Sequence, residues 1–348
     1  MRTIEKLERA GPGFEEFLRV AQETVVSTLG FDACVFASVD PATALETSCE
    51  MYGIPKDPDR ELRIFQLEWF SDDPNRFVDL ARSPRPAAAL RLTSDPGQVQ
   101  RYVEHFEPNG AHDELRLACV ADGMWWATLS GFRGSSKPEF TVDDVDRAAS
   151  LSAVLARGFR RAFLHAAVLN PGTLDRPPGA FTIDRSGRPV TTTATAESWL
   201  DTMDRDRVPT LVRALAVEVE RNRTVTITNV GNAGPLTFHG SAVKGSDEEI
   251  SVIVEYPRPI QLTPLIVAAY ELTAREQEVA ELVLEGLLTK QMARRLDISE
   301  YTVQDHLKSV FAKTETATRG ELSARLYARF YLPPRDRGAT PGPYGYFL

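Results

Sequence analysis

Apolar and polar residues alternate with different periods along the chain, and these periods predict an opening region of mixed helix and strand. A helical repeat of apolar residues covers residues 12–29, and the apolar run FDACVFASVD after it predicts a buried strand. The segment DELRLACVADGMWWATLSGFR predicts two strands joined by a turn at Asp122 and Gly123. A second helical repeat begins at a capping residue, Thr141, and predicts a long closing helix. The turn-rich residues 61–98 predict no regular element.

Proline and glycine clusters mark two breaks in this pattern, at residues 171–179 and 257–264. Between them, AFTIDRSGRPVTTTATAESWL predicts a strand, a turn at 185–187, a second extended piece and a helix. The runs TVTITNV, PLTFHGSAV and EISVIVEY predict three more strands. We therefore expect a small sheet with a few helices on one side, ending near Tyr256. The chain length also favours two or three domains, at roughly 100–200 residues per domain.

Capping and turn residues after Leu272 predict four helices in succession. The first and fourth begin with capping boxes, and the third begins with a serine N-cap. The predicted helices run from Thr273 to before Gly286, from about Thr289 to Leu296, from Glu300 to about Thr314, and from Thr318 to Phe330. A short turn at Asp297 and Ile298 separates the second helix from the third. This is the helix-turn-helix arrangement, whose second member enters the major groove.

The third predicted helix has two faces of different chemistry. Its apolar face consists of Val303, Leu307, Val310 and Phe311. Its outward stripe consists of Tyr301, Gln304, Asp305, Lys308 and Ala312. Glutamine can pair with adenine, aspartate can accept from cytosine and lysine can donate to guanine, so this stripe is able to recognise bases. A solvated amphipathic helix has the same pattern, and it is the flanking helices that favour DNA binding.

The charge near the predicted recognition helix differs from the net charge of the chain. The net charge of −9 disfavours non-specific attraction to nucleic acid. Residues 263–332 carry nine Lys and Arg against ten Asp and Glu, but basic residues outnumber acidic ones five to three between Thr289 and Lys313. We expect the acidic residues of the preceding helix to face away from DNA.

The stretch from about Leu272 to Leu326 resembles the LuxR-type, or GerE-type, helix-turn-helix at nearly every position that marks it. The matching features are LTAREQEV, a glycine at the first turn, the scaffold helix MARRL, SEYTVQDH on the recognition helix, a following lysine and RGEL. The resemblance implies phosphate contacts by Lys290, Ser299, Thr302 and Lys313. It implies base contacts by Gln304, Asp305 and Lys308.

The chain departs from the LuxR-type pattern at three marked positions. Met292 replaces the usual isoleucine and Thr314 the usual leucine, both on the core side, and Gln304 stands where a basic residue is common. His306 also matches the pattern, and packing and a backbone contact to DNA are equally open for it. In this family the fourth helix commonly supplies the dimer contact, although its apolar face here could equally be domain core.

Two further resemblances lie upstream. DELRLACVADGMWWATLSGFR and the helical repeat after it are similar to the last strands and closing helix of GAF domains, and residues 182–256 resemble a degenerate PAS domain. The expected fold is therefore multidomain α+β. A GAF-like α/β sensory domain at 1–170 and a PAS-like α/β domain at 171–260 precede an all-α four-helix LuxR-type domain at 261–332. A flexible tail rich in proline and glycine follows at 333–348.

The sequence disfavours catalysis and metal binding. Cys34, Cys49 and Cys119 have no Cys-x-x-Cys spacing, and the histidines have no ligand spacing. Neither a receiver-domain pattern nor a Walker-type loop is present, which argues against control by aspartyl phosphorylation or ATP. No apolar leader and no apolar run of about 20 residues occurs. We predict a cytoplasmic DNA-binding transcriptional regulator with no membrane partner, which is not an enzyme.

The signal that such a regulator would sense is less well defined. Trp69, Phe70, Trp125 and Trp126 are candidate linings of a pocket for a small-molecule effector, although such aromatic residues often belong to a core. A ligand-free dimerisation platform is one alternative, and a small-molecule enzyme fused to the DNA-binding domain is another. The expected partners are double-stranded DNA and a second copy of the chain, and no cofactor is identified by the sequence.

Overall fold

The structure is a computed structural model, and it describes residues 14–41, 43–55, 57–169, 177–201, 203, 208–231, 234–245, 249–257, 270, 272–314 and 316–323. The described residues form two compact units, divided after Tyr256. Most of the predicted linkers at 171–179 and 257–264, and the whole predicted tail at 333–348, lie outside the described residues. The domain boundary predicted between residues 170 and 171 stays a prediction.

The first half of the N-terminal unit is an antiparallel sheet with helices on both faces. Its strands follow the order β2-β1-β5-β4-β3. In chain order the main elements are α1 (Phe14–Leu29), β1 (Ala33–Asp40), β2 (Leu45–Tyr52), α2 (Pro58–Phe70), β3 (Ala87–Ala89), β4 (Ala111–Ala121), β5 (Met124–Gly134) and α3 (Val142–Leu169). The predicted opening helix, hairpin and closing helix are confirmed.

Local chemistry explains why the hairpin and the closing helix form where the sequence predicts them. Asp122 and Gly123 both have positive φ, 51° and 76°, which is the backbone of a two-residue turn that matches strand twist. Thr141 and Asp144 cap α3 reciprocally, at 3.0 and 3.2 Å. The predicted elements therefore depend on interactions between neighbours in sequence.

Helices α1 and α3 pack together on one face of this sheet. The ring of Phe159 meets the rings of Phe17 and Phe36 edge to face, each with centroids 5.1 Å apart. Gly158 makes room for this cluster, because a Cβ atom there would lie 2.1 Å from the Phe17 ring. The contact fixes α1 and α3 on the sheet as one layer.

The sequence pattern does not predict helix α2, because turn signals dominate residues 61–98. The helix starts at Asp57, whose carboxylate accepts from the amides of Asp59 and Arg60 at 3.1 and 3.2 Å. Pro58 at the first helical position adds a second start signal. An N-cap aspartate followed by proline was thus the sign in the sequence that could have identified this helix.

The second half of the N-terminal unit is another antiparallel five-stranded sheet, in the order β7-β6-β10-β9-β8. Its elements are β6 (Gly179–Asp184), β7 (Pro189–Thr192), α4 (Ala194–Leu200), α5 (Val208–Asn222), β8 (Thr224–Gly231), β9 (Gly234–Ala242) and β10 (Glu249–Glu255). The predicted strands and the helix containing Trp199 are confirmed, while α5 is an element that the sequence pattern did not single out.

A shared apolar core and polar contacts join the two sheets. Leu45 of β2 and Phe65 of α2 pack in one cluster with residues of the second sheet and of α5. Arg213 of α5 forms an ion pair with Glu61 of α2. In addition, the amide of Thr228 donates to the buried Asp40 at 3.2 Å. Helix α2 therefore contacts both halves of the unit.

The described part of the C-terminal unit contains three consecutive helices, α6 (Ala274–Leu284), α7 (Thr289–Leu296) and α8 (Glu300–Thr314), at the predicted positions. A fourth helix starts after Thr318, whose hydroxyl accepts from the Glu321 amide at 3.1 Å. Its predicted continuation to Phe330, including Leu326, lies outside the described residues. No helix within the described ranges is both long and apolar enough to cross a membrane.

Candidate nucleic-acid interface and N-terminal cavity

Caps and a tight turn set the geometry of the C-terminal helices. The Thr273 hydroxyl and the Glu276 carboxylate form the predicted capping box at the start of α6. Asp297 ends α7 in the left-handed region, with φ of 52°. Ser299 then caps α8 by accepting from the Thr302 amide at 3.0 Å. This two-helix arrangement with a short turn is the predicted helix-turn-helix.

The two faces of α8 are those predicted from its periodicity. Val303 and Val310 are fully buried and Leu307 is 5% exposed, where α8 packs against α6 and α7. The outward stripe consists of the exposed residues Tyr301, Gln304, Asp305, Lys308 and Ala312. Met292 and Thr314, the two core-side departures from the LuxR-type pattern, are both buried. The helix therefore presents a continuous polar surface from a fixed core.

Two members of the outward stripe contact each other. The Lys308 ammonium lies 3.4 Å from the Asp305 carboxylate, and their side chains are 74% and 50% exposed. An exposed pair at this spacing contributes little stability, so either side chain can leave it for another partner at small cost. Gln304 lies on the same face, one residue before Asp305.

The residues expected to hold phosphates occupy different environments. Lys290 is exposed in the first turn of α7. Ser299 and Thr302 lie at the N-terminus of α8, where their hydroxyl oxygens are 2.8 Å apart. Lys313 instead pairs with Glu276 of α6 at 2.6 Å, and its side chain is only 32% exposed. Its ammonium thus has a structural partner that the sequence did not reveal.

Glu276 is the centre of a polar cluster that joins α6 to α8. Its carboxylate accepts from the Thr273 amide at 2.7 Å and the Lys313 ammonium at 2.6 Å, and from the Ser309 hydroxyl. Burial alone raises the pKa of Glu276, but the hydrogen bonds from Lys313, Ser309 and Thr273 outweigh it and lower this pKa to about 2. Glu276 is therefore ionised throughout the neutral range.

Two arginines fix the loops around the helix-turn-helix. The Arg319 guanidinium donates to the Leu287 carbonyl at 2.9 Å and to the Thr289 hydroxyl at 2.8 Å. Arg275 donates to the carbonyl of Leu296 at the end of α7. Arg319 is the arginine of the RGEL match to the LuxR-type pattern, and the sequence gives it no role because its partners lie about 30 residues earlier in the chain. Both arginines satisfy carbonyls that a helix end or loop leaves without partners.

A cavity in the N-terminal unit separates the four aromatic residues predicted to line a pocket. Trp69 and Trp125 line it. Trp126, the next residue along β5, points to the opposite face, where it is 2% exposed and packs on Phe163. Phe70 is 51% exposed and does not line the cavity. The cavity has a volume of about 870 Å³, including the part open to solvent.

Most charged groups beside the cavity neutralise one another. Arg116 is 3% exposed and pairs with Glu68 at 2.9 Å and with Glu114 at 3.2 Å. Arg101 binds the other side of Glu114 at 2.9 Å. Burial raises the pKa of Glu114, but Arg101 and Arg116 outweigh it and hold this pKa below its ordinary value. The network fixes buried charges behind one wall of the cavity.

Glu46 is the exception among the cavity carboxyls. Its side chain accepts a hydrogen bond of 2.9 Å from the Thr128 hydroxyl. Burial raises the pKa of Glu46 to about 7; the Thr128 hydrogen bond opposes this rise, and repulsion from Glu68 adds to it. Near neutral pH this carboxyl therefore exists in both its neutral and its charged form.

The cysteines of the N-terminal unit lie in different environments. Burial raises the pKa of Cys34 to about 12 and also raises that of Cys119, which makes both thiols unreactive at neutral pH. Cys49 lines the cavity. Within the described ranges, no three His, Cys, Asp or Glu side chains come together as a metal-binding group.

The chain shows distant likenesses to solved structures. It aligns with Escherichia coli SdiA over 91% of each chain, at 13% identity and a TM-score of 0.30. With SdiA in complex with octanoyl-rac-glycerol it aligns over 95% of this chain and 94% of that one, at 12% identity and a TM-score of 0.35.

Comparison with protein families and curated sequences concerns the C-terminal helices. Residues 270–325 match the family model described as bacterial regulatory proteins, luxR family. The monoamine regulon transcriptional regulator of Klebsiella aerogenes is 50% identical over 56 residues, which are 16% of this chain and 25% of that protein. The nitrate/nitrite response regulator protein NarL of Escherichia coli K12 is 43% identical over 57 residues, 16% of this chain and 26% of NarL. The chain thus spans about a quarter of these relatives, and residues 270–325 form a helix-turn-helix domain of the luxR family.

Proposed function

We propose that the protein is a transcriptional regulator that binds operator DNA through α8. The observation that carries this proposal is the exposed stripe of Gln304, Asp305 and Lys308 on a helix whose opposite face is buried. A recognition helix needs both features, because its base contacts depend on rigid attachment to the rest of the domain. The three side chains offer an amide, an acceptor and a donor to base edges in the major groove.

Phosphate contacts orient this helix on the duplex. Lys290 supplies an exposed ammonium at the start of α7, and Ser299 and Thr302 supply hydroxyls at the N-terminus of α8, where the helix dipole favours an anion. Lys313, which pairs with Glu276 of α6, is the fourth phosphate contact in this proposal. Each subunit presents one recognition helix, so we propose that a homodimer binds two half-sites about one helical turn apart.

The direct test compares two lysines on a binding site selected from random-sequence DNA by the full-length chain. We expect Lys308→Ala to weaken binding to this site by roughly 1–3 kcal/mol per half-site and to relax the preference at one base pair. Lys290→Ala should weaken binding to selected and random duplexes to the same extent. Lys244→Ala removes an exposed lysine from the N-terminal unit and serves as the control. An equal loss on selected and random DNA for Lys308→Ala would show that α8 does not read bases.

The N-terminal unit is proposed to be the sensory part, with the cavity as the effector site. The cavity favours a sensor over a ligand-free dimerisation platform, because a platform needs no enclosed space lined by both apolar and titratable groups. The proposal places a GAF-like domain at 1–170 and a PAS-like domain at 171–260. An effector acts by binding one arrangement of the protein better than another. Because DNA and a soluble effector are its proposed partners, we propose that the protein acts in the cytoplasm.

A further inference from the structure

The N-terminal cavity is built from both halves of its unit. Strands of the first sheet and α2 supply most of its lining, and Thr210 of α5 lines it from the second half. Trp69, Phe77 and Trp125 give it aromatic walls. Its volume of about 870 Å³, including the part open to solvent, gives room for a small organic molecule. Apolar walls with a few polar groups are typical of small-molecule sites.

The carboxyl groups that line this cavity differ in their partners. Glu61 pairs with Arg213, and Glu68 pairs with Arg116 at 2.9 Å. Glu46 has the Thr128 hydroxyl as its hydrogen-bond partner, at 2.9 Å, and no ion pair with any residue that the structure describes. An uncompensated carboxylate in a largely buried position is costly, so an occupant that supplies a positive charge gains most beside Glu46.

The charged groups around Glu46 do not supply that charge. From α2, Glu61 and Glu68 repel its anionic form, whereas Arg116 of β4 attracts it. Arg116 is already held between two carboxylates, Glu68 and Glu114. The positive charge of Arg116 is therefore shared among Glu46, Glu68 and Glu114.

Two further titratable residues line the cavity. The guanidinium of Arg60, on α2, donates to the carbonyl of Pro55. Cys49 lies on the same strand as Glu46. Neither residue forms an ion pair with Glu46. Arg60 of α2 and Cys49 of β2 therefore also supply no cation for the negative charge of Glu46.

We propose that this cavity binds a small organic cation, an ammonium group on an apolar body, with Glu46 as its counter-charge and Trp69, Phe77 and Trp125 around the apolar part. The proposal rests on the sensory role proposed above and names the class of effector. A bound ammonium favours the ionised form of Glu46, whose pKa is about 7. Binding near pH 7 is therefore coupled to release of a proton from Glu46.

The test is titration calorimetry of the full-length chain with three probes of one shape: benzylamine, benzyl alcohol and benzoate. Propylamine and cyclohexylamine extend the series to smaller and bulkier bodies. We expect at least one amine to bind about tenfold or more tightly than the alcohol and the carboxylate. The heat of binding should depend on the ionisation enthalpy of the buffer, because a proton is released. Affinity should fall as the pH falls through about 7, because protonated Glu46 offers no counter-charge.

Three variants connect the preference to Glu46. Glu46→Gln should abolish the preference for the amine, and Glu46→Asp should retain part of it. Glu50→Gln makes the same charge change on the same strand, at a side chain that does not line the cavity, and should leave the preference unchanged. Thermal unfolding of each variant checks that it is folded. The proposal is overturned if no amine binds at millimolar concentration, if benzoate or benzyl alcohol binds as tightly, or if Glu46→Gln keeps the preference.

A second measurement separates this proposal from the proposed function. The affinity of the full-length chain for its selected DNA is measured with and without the tightest-binding amine. A change in DNA affinity that disappears in Glu46→Gln supports both the ligand class and the sensory role. Binding of the amine through Glu46 with no change in DNA affinity supports the ligand class and rejects the sensory role.

Discussion

Replacing Glu276 with glutamine tests whether the polar cluster between α6 and α8 stabilises the helix-turn-helix. The carboxyl has an ordinary pKa of 4.5 and a folded pKa of about 2. This difference corresponds to about 3 kcal/mol of stability at neutral pH. Because the residue is only 5% exposed, solvent weakens this interaction little. Glu276→Gln keeps an acceptor for the Thr273 amide but loses the charge that holds Lys313.

The assay is hydrogen exchange of the backbone amides of α8, followed by mass spectrometry on the full-length chain. The tryptophans of this chain all lie before residue 200, so their fluorescence does not report on this domain. A loss of about 3 kcal/mol corresponds to roughly 100-fold faster exchange where exchange follows opening of the domain. Glu278→Gln is the matched control, because Glu278 lies on the same helix in an exposed pair with Arg275. That pair contributes at most about 1 kcal/mol.

The pH dependence gives a second, independent check with a definite sign. A carboxyl whose pKa is lowered on folding stabilises the folded state fully above its unfolded pKa, and this contribution disappears as the pH falls through the folded pKa. The difference between wild type and Glu276→Gln should therefore be constant near neutral pH and shrink from about pH 4.5 to about pH 2. Exchange in Glu276→Gln within twofold of wild type, or equal acceleration in Glu278→Gln, would refute the reasoning.

Two further predictions concern the same domain. Arg319→Ala should speed hydrogen exchange in α7 by roughly tenfold or more, because the Leu287 carbonyl and the Thr289 hydroxyl lose a charged donor. The same variant should bind selected and random DNA more weakly to an equal extent. A changed base preference would contradict a purely positioning role. A chain beginning near Leu262 should bind the selected site more weakly than the full-length chain at the same salt concentration. Sedimentation should show two chains per duplex for both proteins. A short chain that is folded and dimeric but does not bind would contradict the proposed division into regulatory and DNA-binding parts.

The parts of the structure that follow from neighbours in sequence were predictable. The capping box at Thr273, the turn at Asp297 and the serine cap at Ser299 each depend on residues within about four positions. The buried face of α8 follows from its helical period, because Val303 and Leu307 are four residues apart. Local chemistry therefore determined most of the helix-turn-helix.

The parts that depend on distant contacts were not predictable in this way. Lys313 matched a phosphate-binding position, but its partner Glu276 lies 37 residues earlier. The alternation of β5 implies that Trp125 and Trp126 face opposite sides, yet no pattern in the sequence says which side holds a cavity. The special environment of Glu46 arises from α2 and β4, so its altered pKa is a property of the folded unit.

The ion pairs of the C-terminal domain explain how an acidic chain can bind an anionic partner. Glu276, Glu278 and Glu285 are each paired within the domain, with Lys313 and Arg275 at 2.6 Å and with Arg295 at 3.4 Å. Charges at physiological salt act over about 8 Å, so a phosphate responds to nearby groups and hardly to the net charge of −9. The nearby groups on the proposed DNA-binding side include the exposed bases of α7 and α8, Lys290, Arg294 and Lys308. Pairing of Glu276, Glu278 and Glu285 within the domain thus leaves the exposed bases of α7 and α8 to attract DNA in this proposal.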